Sequence, residues 1–348
     1  MPRATSCEIC GAPATHHNSD GDFCDICHSV LFFTCHQCNN EHRILARHIL
    51  NGLDYCSACY NEHIWTCANC GGQYERERMR DVNGQHLCPD CWRSRHRSQG
   101  VCGYHHHSYQ SFYDDELRLG FELETGDASE RGYDACINAL VELKSEQGER
   151  FYMETDSSIP DWGFETISKP YKLADYRSNR TYWSDMCNIL KSNGLRASKE
   201  CGLHIHASRR FMPTDKWVLA GWLIISNQSK FEALARREST HYAYYSEYED
   251  VDDYDCHVRN NPQHYDAINF GSEKPTIEFR MFASTTNVTT LFEDLELIDA
   301  LCRFVKSADS NIERDIRERP TEAFAKFKAY VLEHKYQDCI NLINRKGV

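Results

Sequence analysis

Several short segments of this chain set ionisable side chains two residues apart within apolar runs. TIEFRMF (276–282) places Glu278 and Arg280 opposite Ile277, Phe279 and Met281. A side-chain period of two turns that acid and that guanidinium to one face of a strand. LGFELET (119–125) does the same with Glu122 and Glu124, GLHIHAS (202–208) with His204 and His206, and FYMETDS (151–157) with Glu154 and Asp156. WGFETIS (162–168) adds Glu165. If these strands are neighbours, carboxylates, two imidazoles and a guanidinium line one face of a sheet. Like charges at that density require divalent cations, so the face reads as a metal and phosphate site. Glu154 alone reads as a solvent-facing residue of an antiparallel sheet.

The second chemistry belongs to cysteine. Six CxxC pairs fill the first hundred residues: Cys7/Cys10, Cys24/Cys27, Cys35/Cys38, Cys56/Cys59, Cys67/Cys70 and Cys88/Cys91. In order they form three four-cysteine sets; the second and third superpose on a shift of 32 residues at all four cysteines, and the first is four residues shorter inside its loop. DGDFCDICH, NGLDYCSACY and NGQHLCPDCW each put a turn and a short strand before the second pair. Four thiolates complete a tetrahedral zinc site and leave no open position, so about three structural Zn²⁺ ions are expected. Cys102 with His105, His106 and His107 could form a further site or a polar linker.

These residues need elements to position them. Three zinc-finger repeats (about 7–27, 35–59 and 67–91) account for residues 1–100, and 101–111 reads as a linker. From 112 to 348, strand-like runs at 117–125, 151–156, 163–167, 202–208, 264–270 and 276–283 alternate with helical periodicity over 132–147, 172–193, 214–237, 287–308 and 321–335. That order predicts an α+β domain whose sheet is covered by helices on one face and carries the ionisable residues on the other. The Tyr-rich acidic run HYAYYSEYEDVDDYD (241–255) reads as a solvated loop or a lid.

Composition narrows the partners. A net charge of -13 argues against a protein that coats nucleic acid. Residues 1–100 hold nine Arg, no Lys and eleven acids, so the fingers read as a docking array for protein or peptide rather than a DNA reader. The cluster Arg93, Arg95 and Arg97 is the exception. The apolar run WVLAGWLII (217–225) is far short of the roughly 20 residues that span a bilayer. The N-terminus has no secretory pattern, and the nineteen cysteines are spaced as metal ligands, so a reducing, cytoplasmic setting is expected.

Each cysteine repeat resembles the treble-clef fingers of the GATA and LIM kind. GFELE, ETDSSI, GFETIS, CGLHIH, YDAINF and TIEFR resemble, in this order, the motifs of the putative amidoligases related to glutamine synthetase and glutamate-cysteine ligase, over roughly residues 112–300. The resemblance implies a curved, mainly antiparallel sheet and an ATP-dependent carboxylate-amine ligase that uses two or more Mg²⁺ ions. By position it implies that Glu122, Glu124, Glu165, His204 and Glu278 hold metal, that His206 contacts nucleotide and that Arg280 faces the transferring phosphate. Asp156 could ligate metal, hold substrate or take the amine's proton, and Asn269 could position substrate. The family's basic residue upstream of YDAINF is absent; His264 and, further back, Arg259 are the candidates for that clamp. Two other readings are a metal-dependent hydrolase, for which no HExxH helix is present, and a zinc-finger adaptor with an inactive ligase-like domain.

Overall fold

A computed structural model describes residues 6–50, 52–82, 84–89, 91–92, 100–103, 112, 114–156, 158–159, 162–239, 243–272 and 274–348. His105, His106 and His107, and the Arg93, Arg95 and Arg97 cluster, lie outside them. The chain divides into two compact units, residues 1–96 and 97–348.

The first unit is built from hairpins and one-turn knuckles. In each repeat the first CxxC pair closes a tight turn, with Gly11, Asn39 and Gly71 donating their N–H to the carbonyls of Cys7, Cys35 and Cys67 at 2.9 Å. All three sit at positive φ (74°, 54° and 72°), which explains why CEICG, CHQCN and CANCG carry Gly or Asn there. An antiparallel hairpin then leads to each second pair: His16–Asn18 with Gly21–Phe23, Arg47–Leu50 with Leu53–Cys56, and Arg80–Val82 with Gln85–Leu87. Helices Asp25–Leu31 and Ser57–His63 start at the second pairs of the first two repeats. Buried side chains gather in small clusters: one holds Cys7, Phe23 and Phe32, another Phe33, Cys35 and Cys56, and Tyr55, Ile64, Cys67, Met79, Leu87 and Cys88 are buried as well.

The second unit is mixed α+β. Its strands are β1 (Val101–Cys102), β2 (Leu119–Thr125), β3 (Phe151–Glu154), β4 (Phe164–Ser168), β5 (Gly202–Ser208), β6 (Ile268–Asn269) and β7 (Thr276–Ala283). They form one sheet in the order β1-β3-β4-β2-β5-β7-β6, antiparallel except for β1 beside β3. Val101–Cys102, which the sequence assigns to the linker, is therefore an edge strand.

One face of the sheet is apolar. Leu119, Phe121 and Leu123 of β2, Leu203, Ile205 and Ala207 of β5 and Ile277, Phe279 and Phe282 of β7 join one continuous core. Helices α1 (Glu130–Gln147), α2 (Leu173–Ser178), α3 (Arg180–Ser192), α4 (Thr214–Ile225), α5 (Gln228–Ala235), α6 (Val251–Asn260), α7 (Val288–Ser307), α8 (Ser310–Glu318), α9 (Pro320–Glu333) and α10 (Gln337–Lys346) complete it. The stripe of α1 shows how: Tyr133, Cys136, Ile137, Leu140 and Leu143 are buried at helical spacing behind the Ser129 N-cap. α7 is buried nearly all round, and its acids are matched by arginines: Glu293 by Arg345, Asp294 by Arg236, Glu296 by Arg177 and Asp299 by Arg303. Among the described residues, no helix is long and apolar enough to cross a membrane.

Several boundaries differ from the sequence reading. The helix expected over 172–193 breaks at Asn179, whose amide bonds the Asp175 carbonyl, and the one over 214–237 breaks at Asn227, whose amide takes the carbonyls of Leu223 and Pro320. The acidic run read as a loop ends in helix α6, capped by Asp250 and seated through Val251, Tyr254 and Val258. The strand expected over 264–270 shrinks to β6, because Asp266 folds back to accept from the Gln263 N–H.

Candidate functional site

The other face of the sheet carries the ionisable residues, and strand register alone lines them up. Glu154, Glu165 and Glu124 are successive partners across β3, β4 and β2; Glu122 is opposite His204; His206 is opposite Glu278, which is opposite Asn269 of β6. All four sequence-predicted metal acids and both histidines are thus brought together. Glu154 joins them. The reading of Glu154 as solvent-facing is corrected: it stands beside Glu165, and the five glutamates and two histidines are each between 2% and 7% exposed. The cause is the seven-stranded width of the sheet, which makes β3 an inner strand.

A bulge shapes the β7 end. Leu203 pairs with Phe282 and Ile205 with Phe279, so three steps of β7 oppose two of β5. Strict alternation is lost after Phe279, yet Arg280 stays with its acid: its Nη1 donates to Glu278 Oε1 at 2.7 Å. Asn269 donates from Nδ2 to Glu278 Oε2 at 2.8 Å and accepts the Gly271 N–H on Oδ1. Both ends of that amide thus orient the acid and the turn.

Two potential cation seats adjoin, one formed by Glu122, His204 and Glu278 and the other by Glu124, Glu165 and His204. His204 lies between them, its Nδ1 3.5 Å from both Glu122 Oε2 and Glu278 Oε1 and its Nε2 3.7 Å from Glu124 Oε1. Among the described residues, that buried Nδ1 has no hydrogen-bond partner. His206 places Nε2 3.2 Å from Glu122 and hydrogen-bonds Thr276 through Nδ1.

Charge is out of balance here. Five buried carboxylates face Lys274, ion-paired to Glu122, and Arg280. Burial opposes charge on Glu122, but Lys274 and His206 hold its carboxyl well below the usual carboxylate range. Burial likewise opposes charge on Glu278, and His206 and Arg280 draw it down. The other seat behaves oppositely: burial raises Glu124, and burial with the like charges of Glu122, Asp156 and Glu124 pushes Glu165 far up. A carboxyl so crowded must either hold a proton or meet a cation. Each seat offers two carboxylates and the shared imidazole, and the carboxylate oxygens suit a hard divalent ion such as Mg²⁺. The residues fit the metals that the motifs imply.

Asp156 follows β3, outside both seats yet near enough to raise Glu124 and Glu165, and accepts from the Ser158 N–H and hydroxyl. Arg259 does not reach the group. It is half exposed on α6 and tied to Asp255 and Asp215, because two carboxylates hold its fork at the surface. His264 lies close enough to Arg280 for that guanidinium, after burial, to lower it, and the Arg280 guanidinium carbon is 5.8 Å from the Tyr265 ring centre. Lys274 and Arg237 were not legible as site residues. Lys274 lies in the loop before β7 and Arg237 just past α5, and neither stands in a strand pattern.

The cysteine sets form three clusters of closely spaced sulfurs, Cys7/Cys10/Cys24/Cys27, Cys35/Cys38/Cys56/Cys59 and Cys67/Cys70/Cys88/Cys91. Backbone N–H groups point at them: Cys56 N at Cys35 Sγ and Cys88 N at Cys67 Sγ, each at 3.3 Å, with Cys24 and Cys56 capping the two helices. A backbone donor at Cys24 draws the Cys7 thiol down to about 6, and against burial similar donors bring Cys35 and Cys67 to about 6. Positions 42 and 74, 32 apart, both face sulfur: His42 Nε2 is 3.5 Å from Cys38 Sγ, and Tyr74 interacts with Cys88 and Cys70. These sets fit structural zinc.

No protein-family model matches the chain, and no curated protein matches it. The amidoligase resemblance rests on the motifs alone.

Proposed function

We propose that the second unit is an ATP-dependent carboxylate-amine ligase. One observation carries the reading: strand register sets two adjoining cation seats on one sheet face, sharing His204, with Arg280 at the edge of one of them. Phosphoryl transfer asks for little else, since it depends on hard ligands for cations and a guanidinium for the moving charge. Glu122, His204 and Glu278 would hold one Mg²⁺, and Glu124, Glu165 and His204 a second. Bound there, the cations neutralise the nucleotide phosphates.

The chain's own residues do the rest. Arg280 meets the γ-phosphoryl oxygens as they pass to a substrate carboxylate, giving an acyl phosphate and ADP. His206, fixed by Thr276, faces the nucleotide side. The amine then attacks the acyl carbon and inorganic phosphate leaves, forming the amide or isopeptide bond. Asp156, a carboxylate outside both seats, accepts the proton that the amine loses.

The fingers present the protein or peptide that carries one reactant. Their surface supports this: Leu45 is 96% and Ile26 76% exposed, with Ile9, Val30 and Ile49 also exposed. The test is ADP release that needs both a carboxylate and an amine, with hydroxylamine trapping the acyl phosphate. Glu278→Ala should abolish it. Hydroxamate formation surviving in a Glu122→Ala, Glu278→Ala double variant would overturn the site, and turnover without nucleotide would favour a hydrolase.

A further inference from the structure

α5 ends at Arg236, which takes a left-handed conformation (φ 61°) and ion-pairs with buried Asp294. That turn sends the next side chain elsewhere. Arg237 runs to the sheet, where its Nη1 lies 3.4 Å from the Phe282 carbonyl and 3.5 Å from that of Arg280. Gly202 marks the spot. A Cβ built there would fall 2.6 Å from Arg237 Nη1, 3.2 Å from His204 Nε2 and 3.5 Å from Glu124 Oε2. The guanidinium thus borders the seat of Glu124, Glu165 and His204, on the same stretch of β7 that carries Arg280.

Arg237 is half buried and, among the described residues, forms no ion pair, whereas Arg236, Arg177, Arg180, Arg259, Arg303 and Arg345 each do. Its two bonds to carbonyl oxygens are at the outer limit of length and use one nitrogen. A guanidinium has five donors in a planar fork suited to two oxygens of an anion. Glu124 acts on Arg237 without forming an ion pair, and Arg280 is its neighbour, so a half-buried guanidinium with donors to spare is placed for a negatively charged ligand.

We infer that Arg237 and Arg280 together clamp one oxyanion beside the cation seats, a phosphoryl group or a substrate carboxylate. The inference rests on the ligase reading only for which of the two it is. Arg237 is a binding residue on this view, and it takes the part that the sequence offered to Arg259.

The experiment is calorimetric titration of the zinc-loaded full chain at saturating Mg²⁺ with three probes: inorganic phosphate, a nonhydrolysable ATP analogue and glutarate. Arg237→Gln is expected to weaken at least one probe by roughly 10- to 100-fold, Arg237→Lys to recover part of the loss, and Arg259→Gln to change nothing. Loss confined to phosphate and the ATP analogue assigns the phosphoryl group; loss confined to glutarate assigns the carboxylate. Equal affinities in wild type and Arg237→Gln, an equal loss in Arg259→Gln, or no binding of any probe by wild type would each overturn the clamp. A purely structural Arg237 would lower the melting temperature and leave affinities alone. If probe binding depends on Arg237 but ADP release never occurs, the ligase reading fails and the clamp stands. If ADP release occurs and Arg237→Gln alters neither kcat, KM nor affinity, the clamp fails alone.

Discussion

Both units gather side chains that could hold cations, but cations would matter to them in opposite ways. In the fingers the sulfurs are much of the buried interior, with Cys7 beside Phe23 and Phe32, and Cys35 and Cys56 beside Phe33. The sheet unit has a continuous core on its other face, from Leu119 and Phe121 through Phe282 to Leu342. A metal in a finger would supply the fold, whereas a metal on the sheet would relieve a charge conflict that the fold already tolerates. Ligand type agrees, with closed soft thiolates in one unit and open oxygen seats in the other.

The largest effect should come from breaking a finger. Structural zinc sites in small modules contribute on the order of 10 kcal/mol or more of folding free energy. Cys35→Ser should therefore remove one of three zinc equivalents by elemental analysis and expose that repeat to protease. The melting transition of the sheet unit should stay where it was; a matching drop there would erase the contrast.

Next is Glu278→Ala. Removing the acid that meets His204, His206, Asn269 and Arg280 should cut ADP release by roughly a thousandfold, comparable to losing a principal electrostatic group in an active site. Zinc content and far-ultraviolet circular dichroism should not change. If activity survives, the sheet face is not the site.

Glu165→Gln sharpens the contrast further, because a loss of charge should stabilise. With no divalent cation, the amide removes the most crowded carboxylate and should raise the melting point of the sheet unit, by about 1–2 kcal/mol of stability. Added Mg²⁺, which stabilises wild type, should then do little. The pH dependence has a matching sign. Glu124 and Glu165 have folded values above their unfolded ones, so the stability they give without metal is full below the usual carboxylate range and is lost as pH rises through their raised values. Saturating Mg²⁺ should flatten that slope. The fingers run the other way, losing zinc as pH falls because protons compete for thiolates such as Cys7, Cys35 and Cys67. Calorimetry across pH should show the two slopes with opposite sign.

What could be read beforehand follows from locality. GLHIHAS and TIEFRMF became β5 and β7 with the residues they began with, since alternation is a property of adjacent residues. The cysteine repeats were legible for the same reason, each set lying within one short segment. Glu154 was misread because its burial depends on which strands flank β3, and β1 comes from the segment taken as a linker. The acidic run concealed α6, although Asp250 as a cap with Val251, Tyr254 and Val258 behind it was a readable pattern masked by charge. Lys274 and Arg237 reach the site from loops, where no periodicity announces a side chain's direction.

The smallest effect tests how closely the sheet seats are packed. Gly202 donates its N–H to Glu124 Oε2, and the space above it is shared by Arg237, His204 and Glu124. A methyl there meets the ends of flexible side chains, not backbone, so Gly202→Ala should fold with a stability change within about 1 kcal/mol. Moving Glu124 and His204 by a few tenths of an ångström should still weaken Mg²⁺ by roughly tenfold, since hard-cation seats tolerate little displacement. Zinc content should be untouched. Mg²⁺ titration followed by melting temperature separates the outcomes: an unchanged midpoint would mean that the seats are looser than the strand register implies, while lost zinc would mean that the two units are coupled after all.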